Sequence, residues 1–596
     1  MIRIKFKKTI VSVLLLAMTL SLCSCGKKKE ETQVFKLPEK KEATEEKTGI
    51  SDVSVYKDFK YIADYDAGEV TITAYTGSES EVKVPSSIEN LPVAKIKEGI
   101  FNDKEITSVA LPTTVNQVTA GVFEKCPFLT KITVAEGNKD YTDADGILFS
   151  ADETVLIAYP AGKEGEEYDI PDSVKEISAN AFNYNANLNR INIGDGVENV
   201  KNYTFFGCRN LTEIRLGSSV NQISALAAYG STKLTSYLVD EKNPFFAASS
   251  GVLYNVLNTR IIAYPTALTG AAFTIPSGVT EIANYAFYEN EFITDVVFPE
   301  GLTVIGDSAF AGTKLASATG NTMVTTIGNS AFKDCTALSD FTFNDGITSI
   351  GEGAFYGTSL PALVLPDSVT SIGAYAFADC KTVTAVTLPA ALQTIGNSAF
   401  SGLSAVQNFE IPGTVTAIGE GAFNGCTSMV RLVIPDSVTD IGESICSGCT
   451  ALTEVVIGNG VTNIDDNSFY GCTGLVTVTM GSSVRKIDDG AFYGCSALSN
   501  INIPDSVTLI REYAFHDCAG LAQITLGSNV TKICYGAFSG CAALNRINIP
   551  ANLKRIKAFA FDGCAALVTV DVPEGLDTSA IDIAEGNDLL TAHLGV

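Results

Sequence analysis

The chain has 596 residues, 46% of them hydrophobic and only 18% charged, which is too apolar for a disordered polymer and long enough for an extended core. It contains no Trp, five Met and two His, His516 and His593, so much of the usual equipment of hydrolysis, transition-metal binding and aromatic sugar platforms is missing. The net charge of −26 speaks against a general affinity for nucleic acid or an anionic membrane surface.

At the N-terminus a basic stretch, IRIKFKK, precedes an apolar run from Thr9 to Leu22. The run is short for a membrane span and reads as an export signal. The following residues, Leu22-Cys23-Ser24-Cys25-Gly26, resemble the lipobox of bacterial lipoprotein precursors. That resemblance implies a signal peptide over residues 1–24, a lipidated Cys25 and anchorage of the mature chain in the bacterial membrane. Cys23 is the alternative lipid site, and an ordinary cleaved signal the alternative process. Residues 25–52 are almost entirely charged and polar, and form a flexible tether because they cannot bury enough surface to offset their ordering entropy.

Beyond the tether the chain repeats. AFYGCSALSNINIPDSVTLIREY (491–513), AFHDCAGLAQITLGSNVTKICYG (514–536) and AFSGCAALNRINIPANLKRIKAF (537–559) stand in direct succession, with a period of 23 residues. The marker Phe recurs at steps of 22 or 23 from Phe101 to Phe561, with substitutions at Ala228 and Cys446 and longer steps at two insertions. Within one unit Ala491, Phe492, Cys495, Leu498, Ile501, Ile503, Val507 and Ile510 are the inward positions. The alternation around Ile501 and again around Val507 predicts two short strands, and Ala-Phe-x-Gly-Cys a tight turn, helical at most. One such unit cannot close a core, whereas units stacked in register can, which predicts a β-rich repeat solenoid.

These motifs resemble the BspA-type leucine-rich repeats, with the pattern I-x-x-I-G-x-x-A-F-x-G-C-x-x-L-x-x-I-x-I-P, over roughly residues 53–575. The resemblance implies an elongated right-handed coil, with an N-terminal cap at 53–92, the solenoid at 93–575 and a C-terminal cap or tail at 576–596. The segments 146–171 and 251–276 lie between Phe slots 59 residues apart (Phe123 to Phe182 and Ala228 to Phe287), and each reads as an inserted β-hairpin. Eighteen slots at strand spacing make a rod on the order of 90 Å, which displays surface rather than enclosing a pocket.

The same register accounts for a Cys-x-x-Cys pair, Cys446 and Cys449, that taken alone suggests redox or zinc chemistry. Cys446 stands in a Phe slot, and Cys449 belongs to a ladder at Cys426, Cys449, Cys472, Cys495, Cys518, Cys541 and Cys564. Neighbours in that ladder are close enough for disulfides. Leu403 shares the slot, however, and Cys packs as a small apolar side chain, so reduced thiols are expected. Cys534 lies off the ladder and is expected to be the accessible thiol, and His516 to be a surface side chain. The acid pairs Asp465-Asp466 and Asp488-Asp489 could bridge a calcium ion, but no surrounding loop supplies further oxygen ligands, and a solvated face is the preferred reading.

Binding is therefore expected on the outward strand positions. One column is Arg431, Glu454, Thr477, Asn500, Gln523 and Arg546, and the next is Val433, Val456, Thr479, Asn502, Thr525 and Asn548. A second candidate is the basic run Arg485, Lys486, Arg511, Lys532, Arg546, Lys554, Arg555 and Lys557, which suits an anionic glycan or wall polymer. No catalytic constellation, cofactor or metal is expected. The resemblance implies a non-enzymatic, monomeric protein, lipid-anchored on the outer face of the bacterial envelope. Its expected role is adhesion to, or recognition of, a host matrix protein, host cells or other bacteria. Glycan capture or envelope scaffolding is the alternative.

Overall fold

Each coil consists of two short strands and two turns. In one of them Asn500–Asn502 forms the first strand, a turn follows at Pro504-Asp505, Leu509–Ile510 forms the second strand, and Tyr513 to Cys518 make the tight turn. Strands of two or three residues have no stability alone. They persist because each pairs in parallel with its neighbours, Asn500 with Gln523 and Leu509 with Lys532. The turns bond from coil to coil as well: the Phe492 and Gly494 amides donate to the carbonyls of Ala514 (2.7 Å) and His516 (2.8 Å), leaving few backbone groups without a partner. This computed structural model describes residues 48–320 and 322–595. The signal segment, Cys25 with its alternative Cys23, and most of the tether lie outside them.

Stacking in register gives two sheet faces and an apolar interior that falls into three successive clusters, Phe59 to Ala158, Ile147 to Ala263 and Val252 to Leu590, divided near the insertions. The first face carries strands such as Arg431–Ile434 and Glu454–Ile457, and the second carries two-residue strands such as Lys486–Ile487. Between the faces runs a stack of phenyl rings: Phe469, Phe492, Phe515, Phe538 and Phe561 follow one another at 5.1–5.3 Å between centroids, nearly parallel. Each ring is buried, contributing on the order of 2 kcal/mol by removal from water and roughly 0.5–1.5 kcal/mol more for the aromatic pair. The expected solenoid is thus the observed one, although among the described residues the tight turn closes into a 3-10 helix only at Ala225–Ala228; the other 3-10 turn, Thr578–Ala580, lies between the last two strands.

Two details of the coil are set by backbone geometry. The residue two before the ring is left-handed, as at Ser444 (φ 54°) and Asn467 (φ 56°), and so is the residue two after it, commonly glycine, as at Gly471 (φ 67°). Coils also approach closely behind the second strand. A Cβ on Gly396 would lie 2.6 Å from the Ala374 nitrogen, and glycine fills that slot from Gly306 to Gly442 before larger residues replace it at Asp465, Asp488, Arg511, Cys534 and Lys557.

Each insertion is more than a hairpin. Tyr141–Ala144, Ile147–Ser150 and Val155–Ala158 form an antiparallel meander whose third strand joins the second face in parallel with Glu176–Ile177. Glu167–Asp169 then starts a new run of the first face beside Arg190–Asn192. Tyr159 enters the ring stack 5.0 Å from Phe182. The second insertion repeats this plan with Phe246–Ser249, Val252–Asn255 and Arg260–Ala263, and with Tyr264 stacked 4.7 Å from Phe287. Each insertion therefore adds a coil with Tyr in the ring slot.

At the N-terminal end Ser54–Tyr56, Phe59–Asp64 and Glu69–Tyr75 pair antiparallel, and the last of them pairs in parallel with Leu91–Ile96. At the other end the helix Asp588–Leu594 buries Leu590 and packs on the final first-face strand, Thr569–Asp571.

Candidate functional site

The strand columns lie on the first face, but not on one sheet. Arg431, Glu454 and Thr477 are in register, as are Asn500, Gln523 and Arg546. No backbone pairing joins Thr477–Thr479 to Asn500–Asn502. In the second column Val433, Val456 and Thr479 belong to the earlier sheet, and Asn502, Thr525 and Asn548 to the later one. Several members are already occupied. The Arg431 Nε donates to Glu454 (2.8 Å) and the Arg546 Nε to Asp571 (2.6 Å). The Asn548 amide is held by the Leu526 backbone, accepting from its N–H at 2.7 Å and donating to its C=O at 2.8 Å. Thr477, Thr479, Asn502, Gln523 and Thr525 remain exposed and without side-chain partners.

The basic run is divided between the faces. Lys486, Lys532 and Arg555 share one register column of the second face, with Leu509 between the first two. Arg546 stands on the first face. Arg511 bridges Asp489 (3.1 Å) and Asp488 (3.6 Å), and Arg555 pairs with Asp582 (2.6 Å). Among the described residues Arg485, Lys486, Lys532, Lys554 and Lys557 find no ion-pair partner.

The acid pairs do not assemble a cation site. The Asp489 carboxylate accepts from the Glu512 amide, and that of Asp466 from the Asp489 amide. Asp488 is buried against Arg511. Partial burial, with Asp440 and Asp488 nearby, pushes the Asp465 carboxyl up to about 6. Among the described residues no group of His, Cys, Asp and Glu is arranged to hold a metal.

One single-residue expectation is corrected and a second is refined. Cys534 is buried, because its slot backs onto the preceding coil and its amide donates to the Ile510 carbonyl at 2.9 Å. His516 is half-buried rather than free: its ring stacks on Tyr493 at 4.7 Å, and its Nδ1 lies 3.2 Å from Asp517.

The cysteine ladder has a role that hydrophobic packing alone does not describe. All thirteen described cysteines are free and buried. The Cys449, Cys495, Cys518, Cys541 and Cys564 thiols each donate to the carbonyl of the ring-slot residue one coil back, at 3.1–3.2 Å. That carbonyl already accepts a local amide, so the thiol uses its second lone pair. Where Cys is absent another donor serves: the Ser231 hydroxyl reaches the Phe205 carbonyl at 2.8 Å, and the Asn290 amide the Pro265 carbonyl at 3.0 Å. Leu403 makes no such bond, and the Thr313 and Thr358 hydroxyls contact the Cys335 and Cys380 thiols instead, at 3.3 and 3.2 Å.

The first face is broken most clearly at Ala385–Thr387. This strand pairs with Ala362–Val364 on one side. On the other side no backbone hydrogen bond joins it to Asn408-Phe409-Glu410, although the second face stays paired there through Thr394 and Ala417. The coils splay into a wedge of about 850 Å³, with Val386, Leu388 and Ile411 among its walls and Asp367, Gln407 and Glu410 at its margin. Nothing in the residue pattern announces this break, because Ala385 and Thr387 fit the strand template.

Aromatic side chains at the turn edge were also outside the strand-based reading. Tyr470 stacks on Tyr493, Tyr493 on His516, and Tyr513 packs edge-on against Tyr535. A separate group surrounds Tyr229. Following the 23-residue register through the positions two or three before and one after the ring slot would have found both.

Stacked coils with hydrogen-bonding ladders inside and varied side chains outside define a leucine-rich-repeat solenoid. The chain belongs to the BspA-type leucine-rich repeat family: residues 73–145, 161–270, 263–384, 370–499 and 486–586 match the BspA type leucine rich repeat region, in six copies. Similar solved structures include a leucine-rich repeat protein from Bacteroides ovatus (21% identity, TM-score 0.37, covering 89% of this chain and 99% of that one). A leucine rich cell surface protein from Faecalibacterium prausnitzii is similar at 21% identity and TM-score 0.28, with 72% and 95% covered. A leucine-rich repeat protein from Eubacterium ventriosum is similar at 22% identity and TM-score 0.29, with 78% and 94% covered. Among curated proteins none matches.

Proposed function

We propose that this is a non-enzymatic binding protein, held by lipid on Cys25 at the outer face of a bacterial envelope, that recognises a polypeptide on a host surface or another cell. The observation that carries this reading is the wedge beside Ala385–Thr387, where unpaired strand backbone and an apolar wall occur together. An open strand edge offers main-chain hydrogen bonds to an extended segment, and alternate pockets such as that at Val386 and Leu388 select its side chains. The unpartnered polar residues from Thr477 to Thr525 extend the recognition surface. The anchor is read from the lipobox-like sequence.

A second reading draws on the five unpaired cations, Arg485, Lys486, Lys532, Lys554 and Lys557, which could hold an anionic glycan by charge. Binding of the purified chain to immobilised fibronectin, collagen and heparin at low and moderate salt separates the two. Saturable binding to a matrix protein that persists with salt and falls in Val386→Asp supports polypeptide recognition. Binding to heparin alone, lost as salt rises, replaces it with the second reading, and retention of no probe removes the support for both.

A further inference from the structure

At the second insertion the added coil withdraws from the turn edge, and the turns on either side of it meet. Tyr229 and Tyr288, 59 residues apart, have ring centroids 5.5 Å apart, and the Tyr229 hydroxyl donates to Glu289 at 3.2 Å. Phe206 stacks on Tyr229 at 5.4 Å, Tyr203 stands edge-on to the same ring at 6.2 Å, and Tyr285 stands edge-on to Tyr288 at 5.6 Å. Beside them opens a cleft of about 380 Å³, continued by Ser308, Ser330, Lys333 and Asp334. That is within the usual size of a small-ligand site, roughly 300–1,000 Å³.

The architecture does not require these aromatics. At the first insertion the flanking turns meet in the same way, but through a hydrogen bond from the Asn183 amide to Glu124 (3.2 Å). Nor does the backbone favour them. Tyr203 and Tyr285 occupy the left-handed position (φ 63° and 61°) that most coils give to Gly, Ser or Asn and three others to an aromatic, Tyr375, Tyr513 and Phe559, although a bulky side chain is disfavoured there. No core packing offsets that cost at Tyr203, whose surface is 41% exposed. Strained, half-exposed aromatic rings beside polar groups suit a ligand with both an apolar face and hydroxyls.

We propose that this cleft binds a pyranose unit of a neutral glycan, the tyrosine rings packing on the C–H face of the sugar while Glu289, Asp334 and Lys333 hydrogen-bond its hydroxyls. Carboxylates accept pairs of hydroxyl donors. Two acids against one base in the cleft, on a chain of net charge −26, select against sulfated or uronic sugars. A lipid would need a deeper and drier cavity. This site lies at the turn edge, apart from the first-face wedge, and does not depend on what that wedge binds.

The test titrates the purified full chain with cellohexaose, chitohexaose and mannohexaose, read by calorimetry and by tyrosine fluorescence, which no Trp obscures. At least one probe is expected to bind saturably, with Tyr229→Ala and Tyr288→Ala each weakening it about tenfold or more, close to 1.4 kcal/mol. Lys83→Ala, at an exposed position near the N-terminal end, is expected to leave it unchanged. Tyr203→Ala, at an exposed position, serves if the other variants do not fold, as judged by their thermal transitions. Absence of binding by all three probes overturns the proposal, as does affinity indifferent to the tyrosine substitutions. Sedimentation showing a dimer that Tyr203→Ala dissociates would assign the cleft to a second copy and overturn it equally.

Discussion

The Cys472 thiol donates to the Cys446 carbonyl oxygen at 3.1 Å, one coil back, in the slot where neighbouring units place Phe423 and Phe469. Both members of the Cys446-x-x-Cys449 pair are therefore interior parts of the stack: one replaces a ring and the other tethers adjacent coils. Burial raises both thiols above the ordinary cysteine range, the opposite of what a nucleophilic or redox-active thiol needs.

Thiol reactivity follows directly. Burial pushes Cys126 and Cys564 up to about 12, and Cys335 and Cys380 up to about 11. At pH 8 the native chain is expected to leave all thirteen described cysteines unlabelled by a thiol-specific alkylating reagent, Cys534 included. All thirteen should react once denaturant is added, as peptide mapping would show.

The donor role of the ladder predicts an order of substitutions. Cys495→Ala removes both volume and the hydrogen bond to the Phe469 carbonyl, and is expected to cost about 1–3 kcal/mol. Cys495→Ser keeps a donor, as Ser231 does naturally, and is expected to cost less. Denaturant midpoints under reducing conditions decide; equal losses would mean that volume alone matters.

Ala228 interrupts the ring stack, yet the space is not empty. Tyr237, fully buried on the first face, and Ala228 line one void of only about 20 Å³. Restoring the repeat with Ala228→Phe therefore overpacks the site and is expected to lower stability by about 1–3 kcal/mol. The midpoint of thermal unfolding would show it, and a rise would place Tyr237 elsewhere in the packing.

Asp465 gives a pH-dependent prediction. Its folded pKa of about 6 lies above the unfolded value of about 3.9, so ionisation opposes folding. The penalty is absent below pH about 4, grows as pH rises through the folded value, and is complete above it. Asp465→Asn is expected to stabilise the chain by about 1–2 kcal/mol at pH 7 and by nothing at pH 4. Melting curves at the two values test this.

The period, the inward residues and the ring slot were legible in the sequence because a solenoid repeats its environments. Phe492, Phe515 and Phe538 are equivalent in space because they are equivalent in register. The same register places Cys446 in the core, in a slot its neighbours fill with Phe423 and Phe469. It failed where neighbours in space are not one period apart. Tyr229 meets Tyr288 only because an inserted coil withdraws from the edge. Arg511 meets Asp488 and Asp489 across coils, which removes a cation that the residue count left free. The splay between Thr387 and Asn408 follows from how adjacent coils diverge on one face while staying paired on the other, and no single residue carries that signal. Local periodicity determined which side chains point inward. The spacing between coils, a property of the assembled stack, decided which outward ones come together.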